Sequence, residues 1–118
     1  MTFGVVISSY KYGHLAAHCI ETILAQTKQF DEIYFVDDGV GDCKHLVDLY
    51  EDRVNFLFRE ANLGTVANFQ DMLINRVKTD YVMFIGADNW LRGDTLQKLH
   101  KHCELDMNVV TYDIIITG

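Results

Sequence analysis

The feature of this sequence that most constrains its fold is a regular alternation of short apolar runs with longer amphipathic stretches. The apolar runs have the length of buried strands and occupy residues 3–9, 32–37, 54–58, 81–85 and 109–117. Helical patterns lie between these runs, at residues 14–27, 42–50, 65–77 and from residue 94 onward. Such alternation predicts right-handed crossovers and a mostly parallel sheet with helices on both faces. We therefore expect one α/β domain over residues 1–118.

Local signals predict how three of the helices begin and pack. Asp42 is expected to cap the short second helix. Asp94, with Gln97 three residues later, resembles a capping box that opens the last helix. The third helix is predicted from four apolar residues at helical spacing, Val66, Phe69, Leu73 and Val77.

The formal net charge of −7 limits the classes of partner that the chain is expected to bind. An acidic chain lacks the basic face that releases counterions from nucleic acid, so we expect no nucleic-acid binding. No run reaches the roughly 18 apolar residues of a membrane span, and the N-terminus lacks a basic, signal-like start. We expect no membrane span and a cytoplasmic location. Three scattered cysteines without a C-x-x-C pair favour reduced thiols over metal ligands or disulfides.

Polar clusters follow three of the predicted strands at the points where those strands end. They occupy residues 8–10, 37–39 and 86–89. In open α/β sheets, ligands bind beyond the carboxyl ends of the strands. Because the carboxyl ends of parallel strands share one edge, we expect the three clusters to converge there.

Each cluster has a functional and a structural interpretation, and the residues alone leave both open. A carboxylate of Asp37 or Asp38 can accept a hydrogen bond from a base or a ribose, but Asp-Gly is also a common turn, with Gly39 at positive φ. Asp88 is a suitable ligand for a hard divalent cation whose other positions are filled by phosphates, and Asn89 can add an oxygen. Alternatively, these two residues form a turn that ends the strand.

Tyr10 and Lys11 are open to two interpretations as well. Tyr10 can stack on a base or donate its hydroxyl to a phosphate, and Lys11 can offset phosphate charge. The structural alternative is that both are solvated loop residues. His14 and His18 lie four residues apart, but no glutamate of an H-E-x-x-H motif lies between them. There is also no G-x-G-x-x-G after the first strand and no G-K-[ST], which argues against a simple dinucleotide or P-loop site.

Four segments in order resemble the family 2 glycosyltransferases: VVISSYKYGHLAAHCIETILAQT, EIYFVDDG, NLG within residues 62–70, and TDYVMFIGADNWL. The family typically has a V-I-P-x-Y-N strand followed by a helix that ends in L-x-Q-T. The resemblance spans nearly all of the chain, and the N-terminal part is similar to the spore-coat polysaccharide nucleotide-sugar transferase. It implies the GT-A fold, which is Rossmann-like, ending after the donor-binding half.

The resemblance also implies a function and a set of site residues. A nucleotide-diphosphate sugar, in particular a UDP-sugar, is the implied donor for inverting transfer to an acceptor hydroxyl on a sugar or glycan. Ser8 and Tyr10 are assigned to the nucleoside, and Asp38 to the uracil imide, with Asp37 beside it in the binding set. The D-x-D motif falls on residues 86–88, so Ala87 lies in the donor site and Asp88 is the implied ligand of Mn²⁺ or Mg²⁺.

The chain departs from the family pattern at several positions. Gly86 replaces the first D-x-D aspartate, Ser8 replaces the usual proline, and Phe69 and Gln70 replace an arginine and an asparagine. The chain ends at Gly118, whereas family members carry the acceptor site and the catalytic base further on. We therefore expect a truncated chain or a donor-binding module, with no residue that we assign as the base.

Two other functions and one assembly are considered. A receiver-like signalling module or other non-catalytic nucleotide-binding module would use the acidic pair after the second strand, but a receiver also needs a phosphoacceptor aspartate that VNFLFRE lacks. A nucleotidyltransferase usually needs a glycine-rich basic first loop, which SSYKYG does not provide. The apolar run at 109–117 predicts an unpaired strand edge and hence self-association into a homo-oligomer.

Overall fold

The computed structural model describes residues 1–104, which form a parallel four-stranded sheet in the order β3-β2-β1-β4. The strands are β1 (Phe3–Ser9), β2 (Glu32–Asp37), β3 (Asn55–Phe58) and β4 (Tyr81–Gly86). The helices are α1 (Ala16–Leu24), α2 (Val47–Tyr50), α3 (Thr65–Asp71) and α4 (Thr95–Cys103). A 3₁₀ turn over Lys44–Leu46 precedes α2, and a π-helical turn over Met72–Arg76 follows α3. The predicted strand at 109–117 lies outside the described residues.

The sheet is covered on both faces, as the sequence predicted. Val5, Val6 and Ile7 in the central strand β1 are fully buried. On one face Val5 and Ile7 join a core with the inward residues of α1 and α4, including Ile20. On the other face Val6 packs with Met72 from the π-helical turn. Burial on both faces explains why these strands are continuous apolar runs and do not alternate.

The second helix does not begin as predicted. Asp42 does not cap it, because the Asp42 carboxylate accepts a hydrogen bond from the Gly13 backbone N–H at 2.9 Å. The first helix is also shorter than the predicted range 14–27. Its start is delayed because the backbone N–H groups of Leu15 and Ala16 both donate to the Tyr12 carbonyl, which closes a turn before α1.

The third helix forms, but its apolar stripe does not face the core throughout. Val66 is 80% exposed and Leu73 is 53% exposed. The fully buried positions are Asn68 and Met72. Asn68 is drawn inward because its side-chain carbonyl accepts from Arg59 Nε at 2.9 Å, and the π-helical turn then changes the phase of the residues that follow.

The predicted capping box at the last helix is wrong, although α4 does begin directly after Asp94. The Asp94 carboxylate makes no capping hydrogen bond and pairs instead with Lys98 Nζ at 3.0 Å. Gln97 accepts from Thr27 Oγ1 at 2.7 Å, which ties α4 to the end of the α1 segment. Asp94 therefore pairs within its own helix and Gln97 bonds to a distant segment, which leaves the capping box unformed.

Two further expectations can be compared with residues 1–104. All three cysteines in this range are buried free thiols, as the scattered spacing predicted. None of the helices formed by these residues has the length and apolar character that crossing a bilayer requires. The cytoplasmic location stays a prediction.

Candidate functional site

The three polar clusters converge at the carboxyl edge of the sheet, which confirms the prediction. The strand register pairs Ser9 of β1 with Asp37 of β2, and Ser8 of β1 with Gly86 of β4. Beyond the strands, the Asp38 N–H donates to the Ser9 carbonyl at 2.8 Å. On the other side of β1, the backbone N–H of residue 87 donates to the Ser8 carbonyl at 2.9 Å. The loops after β2 and β4 therefore flank the end of β1, at two interstrand spacings from each other, about 10 Å.

A cleft of about 440 Å³ opens at this edge, between the ends of β1 and β4 and the first turns of α3. Its volume is within the range of small-molecule sites. The lining residues are Ser8, Tyr10, Tyr12, Thr65, Phe69, Phe84, Ile85, Gly86 and Asp88. Three of the sequence-predicted site residues, Ser8, Tyr10 and Asp88, therefore line one cleft.

Asp88 is exposed at the cleft and offers a carboxylate with few competing partners. Its Oδ1 lies 3.3 Å from Asn89 Nδ2, a long hydrogen bond. A Cβ at Gly86 would lie only 2.8 Å from the same Oδ1, so the absence of a side chain at Gly86 leaves room for the carboxylate. A single exposed carboxylate facing an open cleft is a suitable ligand for a hard cation that also binds phosphate oxygens. The Asp88 side chain therefore fits the implied metal.

The charge of Asp88 also affects its surroundings. Burial, reinforced by the Asp88 carboxylate, raises the pKa of the Cys19 thiol to about 12. Cys19 Sγ lies 3.9 Å from the Gly86 carbonyl, directly beneath the loop. The thiol is therefore protonated at neutral pH in the metal-free chain.

Asp38 lies at the same edge but does not line the cleft. Its side chain turns toward the loop before α3, and the residue is 3% exposed. Asp38 Oδ1 accepts from the Leu63 N–H at 2.9 Å, and Oδ2 accepts from Asn62 Nδ2 at 2.8 Å and the Gly64 N–H at 3.1 Å. The carboxylate therefore holds the loop that leads into α3.

The pKa of Asp38 lies below its ordinary value. Burial acts to raise it, but the backbone N–H groups of Leu63 and Gly64, together with the side-chain amide of Asn68, outweigh this effect. The positive charge of Arg59 acts in the same direction. Within residues 1–104, Asn68 Nδ2 has no hydrogen-bond partner, so this amide lowers the pKa of Asp38 without a formed hydrogen bond. Asp38 is thus an ionised acceptor at neutral pH.

Asp37 is an anchor for its own turn. Oδ1 accepts from the N–H groups of Val40 and Gly41, both at 3.0 Å, and Oδ2 accepts from Cys43 N–H at 3.2 Å. Gly39 has φ +89°, and a Cβ there would lie 2.5 Å from the Ala61 carbonyl carbon. The structural interpretation of Asp-Gly as a turn is therefore confirmed, and the turn must contain glycine so that the two loops can approach.

A second group of potential metal ligands occurs in the described part of the chain, away from Asp88. Ligand atoms of Asp37, Asp42 and Cys43 lie within 4.8 Å of one another. Burial, together with the Asp42 and Asp37 carboxylates, raises the pKa of Cys43 to about 12, although a hydrogen bond with Ser9 opposes the rise. The Asp37 carboxylate already accepts from three backbone N–H groups, which leaves it little capacity to bind a cation. The group supports the loop after β2.

Arg59 joins the Asp38 loop to α3 from behind. Its backbone N–H donates to the Asp37 carbonyl at 2.9 Å, and its Nη2 lies 2.6 Å from Asp71 Oδ2. Hydrogen bonds from Asn75, Arg59 and Arg76 hold the pKa of Asp71 far below its usual range. Because Arg59 is fixed by these partners, its charge supports the loop from outside the cleft.

The remaining predicted residues occupy different environments. Tyr10 is 43% exposed at the cleft, and Lys11 Nζ lies 5.0 Å from the centroid of its ring. Ala87 is completely buried, and its N–H donates to the Ser8 carbonyl. The roles assigned to Asp37, Asp38 and Ala87 in nucleotide binding stay predictions.

The sequence did not indicate the aromatic wall of the cleft. Phe69 was placed on an apolar helix face, yet it lines the cleft and packs on Phe84 with ring centroids 4.3 Å apart. Tyr12 and Thr65 also line the cleft and were not selected. Only their positions in the sequence could have indicated these two residues. Tyr12 follows Tyr10 by two residues, and Thr65 follows the N-L-G segment.

Comparisons with known proteins agree with this arrangement. The family described as Glycosyl transferase family 2 matches residues 4–117. The glycosyltransferase GlyG of Streptococcus pneumoniae serotype 4 is 32% identical over 113 residues, which cover 91% of this chain and 37% of GlyG. GlyA from the same organism is 27% identical over 103 residues, covering 82% of this chain and 14% of GlyA. The chain thus spans less than two fifths of the length of each of these relatives.

Solved structures of S. aureus TarS share the fold. TarS 1–349 superposes with a TM-score of 0.76 at 19% identity, covering 89% of this chain and 33% of that one. The complex of TarS 1–349 with UDP-GlcNAc gives a TM-score of 0.77 at 18% identity, covering 89% and 32%. At this identity the likeness shows a common fold alone.

Proposed function

The chain belongs to glycosyl transferase family 2 and has the GT-A fold, and we propose that it forms the donor-binding half of an inverting glycosyltransferase that takes a UDP-sugar. The observation that carries this proposal is that Ser8, Tyr10 and Asp88, which come from two strand ends, line one cleft at the carboxyl edge. Structures of TarS in complex with UDP and with UDP-GlcNAc support a nucleotide-sugar as the ligand class. This family membership leaves the receiver-like alternative without support.

We assign the nucleoside to the Ser8 and Tyr10 side of the cleft. Tyr10 is exposed enough to stack on a base, and Ser8 offers a hydroxyl at the end of the central strand. Asp38 holds the neighbouring loop, and three of about four acceptor directions on its carboxylate are in use. A contact between the uracil imide and Asp38 therefore requires the ligand to take the remaining direction. Asp37 contributes by shaping the turn.

We assign the diphosphate to the Asp88 side of the cleft. The Asp88 carboxylate would hold Mn²⁺ or Mg²⁺, which would offset the negative charge of the leaving diphosphate. Two acidic species, the carboxylate and the diphosphate, would otherwise repel each other in a chain of net charge −7. Gly86 keeps the space beside the Asp88 carboxylate open.

The proposed reaction is an in-line displacement at the anomeric carbon of the donor. The acceptor hydroxyl, on a sugar or glycan, loses its proton to a base while its oxygen forms the new glycosidic bond. The bond from the anomeric carbon to the diphosphate breaks, and the diphosphate leaves with both electrons. Residues 1–104 supply the leaving-group side of this scheme, and no base is assigned among them.

A ligand-dependent thermal shift tests donor binding. UDP at about 100 times its dissociation constant stabilises a folded protein by about 2.7 kcal/mol, so the melting temperature should rise by several degrees with Mn²⁺ present. Acetyl phosphate tests the receiver-like alternative, because a receiver would be phosphorylated on an aspartate. We expect it to leave this chain unphosphorylated. An unchanged melting temperature at millimolar UDP, or a stable aspartyl phosphate, would contradict the donor-binding assignment.

We further propose self-association through residues 109–117. The support is the apolar sequence VVTYDIIIT together with the position of β4 at one edge of the four-stranded sheet that residues 1–104 form. Light scattering at increasing concentration should show a mass above 13.6 kDa. A constant monomeric mass would contradict this part of the proposal.

A further inference from the structure

The backbone of Lys11 is strained. Lys11 has φ +66°, and it is the one non-glycine residue with a positive φ among residues 1–104. A lysine in the left-handed region costs free energy that glycine avoids and that asparagine largely avoids. Such outliers persist where the surrounding structure fixes them, and they occur preferentially at ligand sites.

The strained residue lies at the rim of the donor cleft. It stands between Tyr10 and Tyr12, both of which line the cleft. The Lys11 side chain is exposed, and its Nζ lies 5.0 Å from the Tyr10 ring centroid, within range of a cation–π contact. The strained backbone therefore places an ammonium group beside the ring that we assign to the nucleoside.

The cleft needs a positive charge that its lining does not supply. Of the described residues that line it, Asp88 alone is charged, and its charge is negative. Arg59 is committed to Asp71 and Asn68 behind the loop. The wall facing the strand ends is apolar, formed by Phe69 on Phe84. An anionic ligand in this cleft thus meets a carboxylate and aromatic rings before it meets a fixed cation.

We propose that Lys11 is a diphosphate-binding residue whose strained backbone is retained because it holds the ammonium group at the rim of the cleft, beside Tyr10. This inference rests on the proposed donor function and adds to it: a protein side chain and the cation at Asp88 share the charge of the diphosphate. The side chain swings from the Tyr10 ring to the phosphate oxygens when a nucleotide diphosphate binds. Lys11 therefore determines preference for the diphosphate over the bare nucleoside.

Asparagine substitution separates this role from a merely structural one. Lys11→Asn removes the charge while suiting the left-handed backbone, so the loop should fold at least as well. Lys11→Arg keeps the charge. Lys28→Asn is the matched control, since it removes the same charge from the connection before β2, at the opposite edge of the sheet.

The test measures UDP and uridine dissociation constants for the 118-residue chain and these variants, with Mn²⁺ present and at several salt concentrations. Loss of one charge-assisted contact should weaken UDP binding by about tenfold in Lys11→Asn. Uridine binding should be unchanged, and the salt dependence of UDP binding should become shallower. Lys11→Arg and Lys28→Asn should bind UDP nearly as the parent chain does.

Two results would overturn the inference. Parent-like UDP binding by Lys11→Asn would show that the ammonium group does not contact the diphosphate. An equal loss for UDP and uridine, with an unchanged salt dependence, would show that the residue only shapes the loop. In both cases the parent chain still binds UDP, so the donor function survives. If the parent chain does not bind UDP at all, the donor function itself is wrong and the inference falls with it.

Discussion

The Leu63 backbone N–H donates to Asp38 Oδ1 at 2.9 Å, which ties the loop after β2 to the loop that opens α3. The two residues are 25 apart in sequence, and the acceptor is the buried, ionised carboxylate of Asp38. The contact sets where Thr65 and Phe69 stand, since both follow the tied loop and both line the cleft. The contacts of Asp38 therefore position the loop that leads to one wall of the cleft.

Replacing Asp38 by asparagine should destabilise the fold. The amide presents a donor to Asn62 or Gly64 where the carboxylate presented an acceptor, and a charged hydrogen bond is lost from a buried position. We expect a loss of about 2 kcal/mol in the free energy of unfolding, measured by urea denaturation. Asp52→Asn, an exposed change before β3, should cost less than about 0.5 kcal/mol. Equal stability of the two variants would contradict the role of the Asp38 carboxylate in stabilising the loop before α3.

Stability should fall in acid. The pKa of Asp38 is lower in the folded protein than in the unfolded chain, and so is that of Asp71. Both carboxylates therefore stabilise the fold above the unfolded value of about 3.9, and this stabilisation is lost as the pH falls toward and through their folded pKa values. Urea midpoints should drop between pH 5 and pH 3. The drop should be smaller in Asp38→Asn, and an equal drop would contradict the role of Asp38.

Replacing Lys11 by asparagine should stabilise the chain in the absence of ligand. Relief of the left-handed strain should contribute about 1 kcal/mol, which corresponds to a rise of about 4 °C in melting temperature. Scanning calorimetry measures this directly, and Lys28→Asn should show no comparable rise. A lower melting temperature for Lys11→Asn would mean that the lysine side chain itself stabilises the loop.

Adding a methyl group at Gly86 should disturb the cation site without unfolding the sheet. The new Cβ would lie 2.8 Å from Asp88 Oδ1, so the exposed carboxylate must turn away. We expect Gly86→Ala to weaken metal-dependent UDP binding by about tenfold, the effect of displacing one charged ligand. Gly93→Ala is the matched control, because a Cβ there meets nothing within 4 Å. Identical UDP affinities for the two variants would contradict the proposed position of the cation.

The location of the site at the carboxyl edge of the sheet could be predicted from the sequence. Buried parallel strands are apolar, and the polar residues that follow them lie at the same edge. The convergence of Ser8, Tyr10 and Asp88 at one edge of the sheet was therefore predicted correctly. The orientation of Asp38 could not be predicted, because an aspartate before a glycine suits a ligand contact and a loop anchor equally.

The wall of the cleft was harder to predict for a different reason. Phe69 fits an apolar helix face by spacing, and spacing does not distinguish a core position from the wall of a site. The inward turn of Asn68 toward Arg59 also reverses the usual preference for apolar burial. Only the tertiary partner explains it.

The most direct test of the donor site is calorimetric titration of UDP into the 118-residue chain with and without Mn²⁺, repeated for Asp88→Ala and for the exposed control Asp52→Ala. The account predicts that Mn²⁺ tightens UDP binding at least about tenfold in the parent chain and the control, since a charged ligand contact is gained. It predicts no such gain in Asp88→Ala. Metal-independent UDP binding by the parent chain, or an undiminished gain in Asp88→Ala, would contradict it.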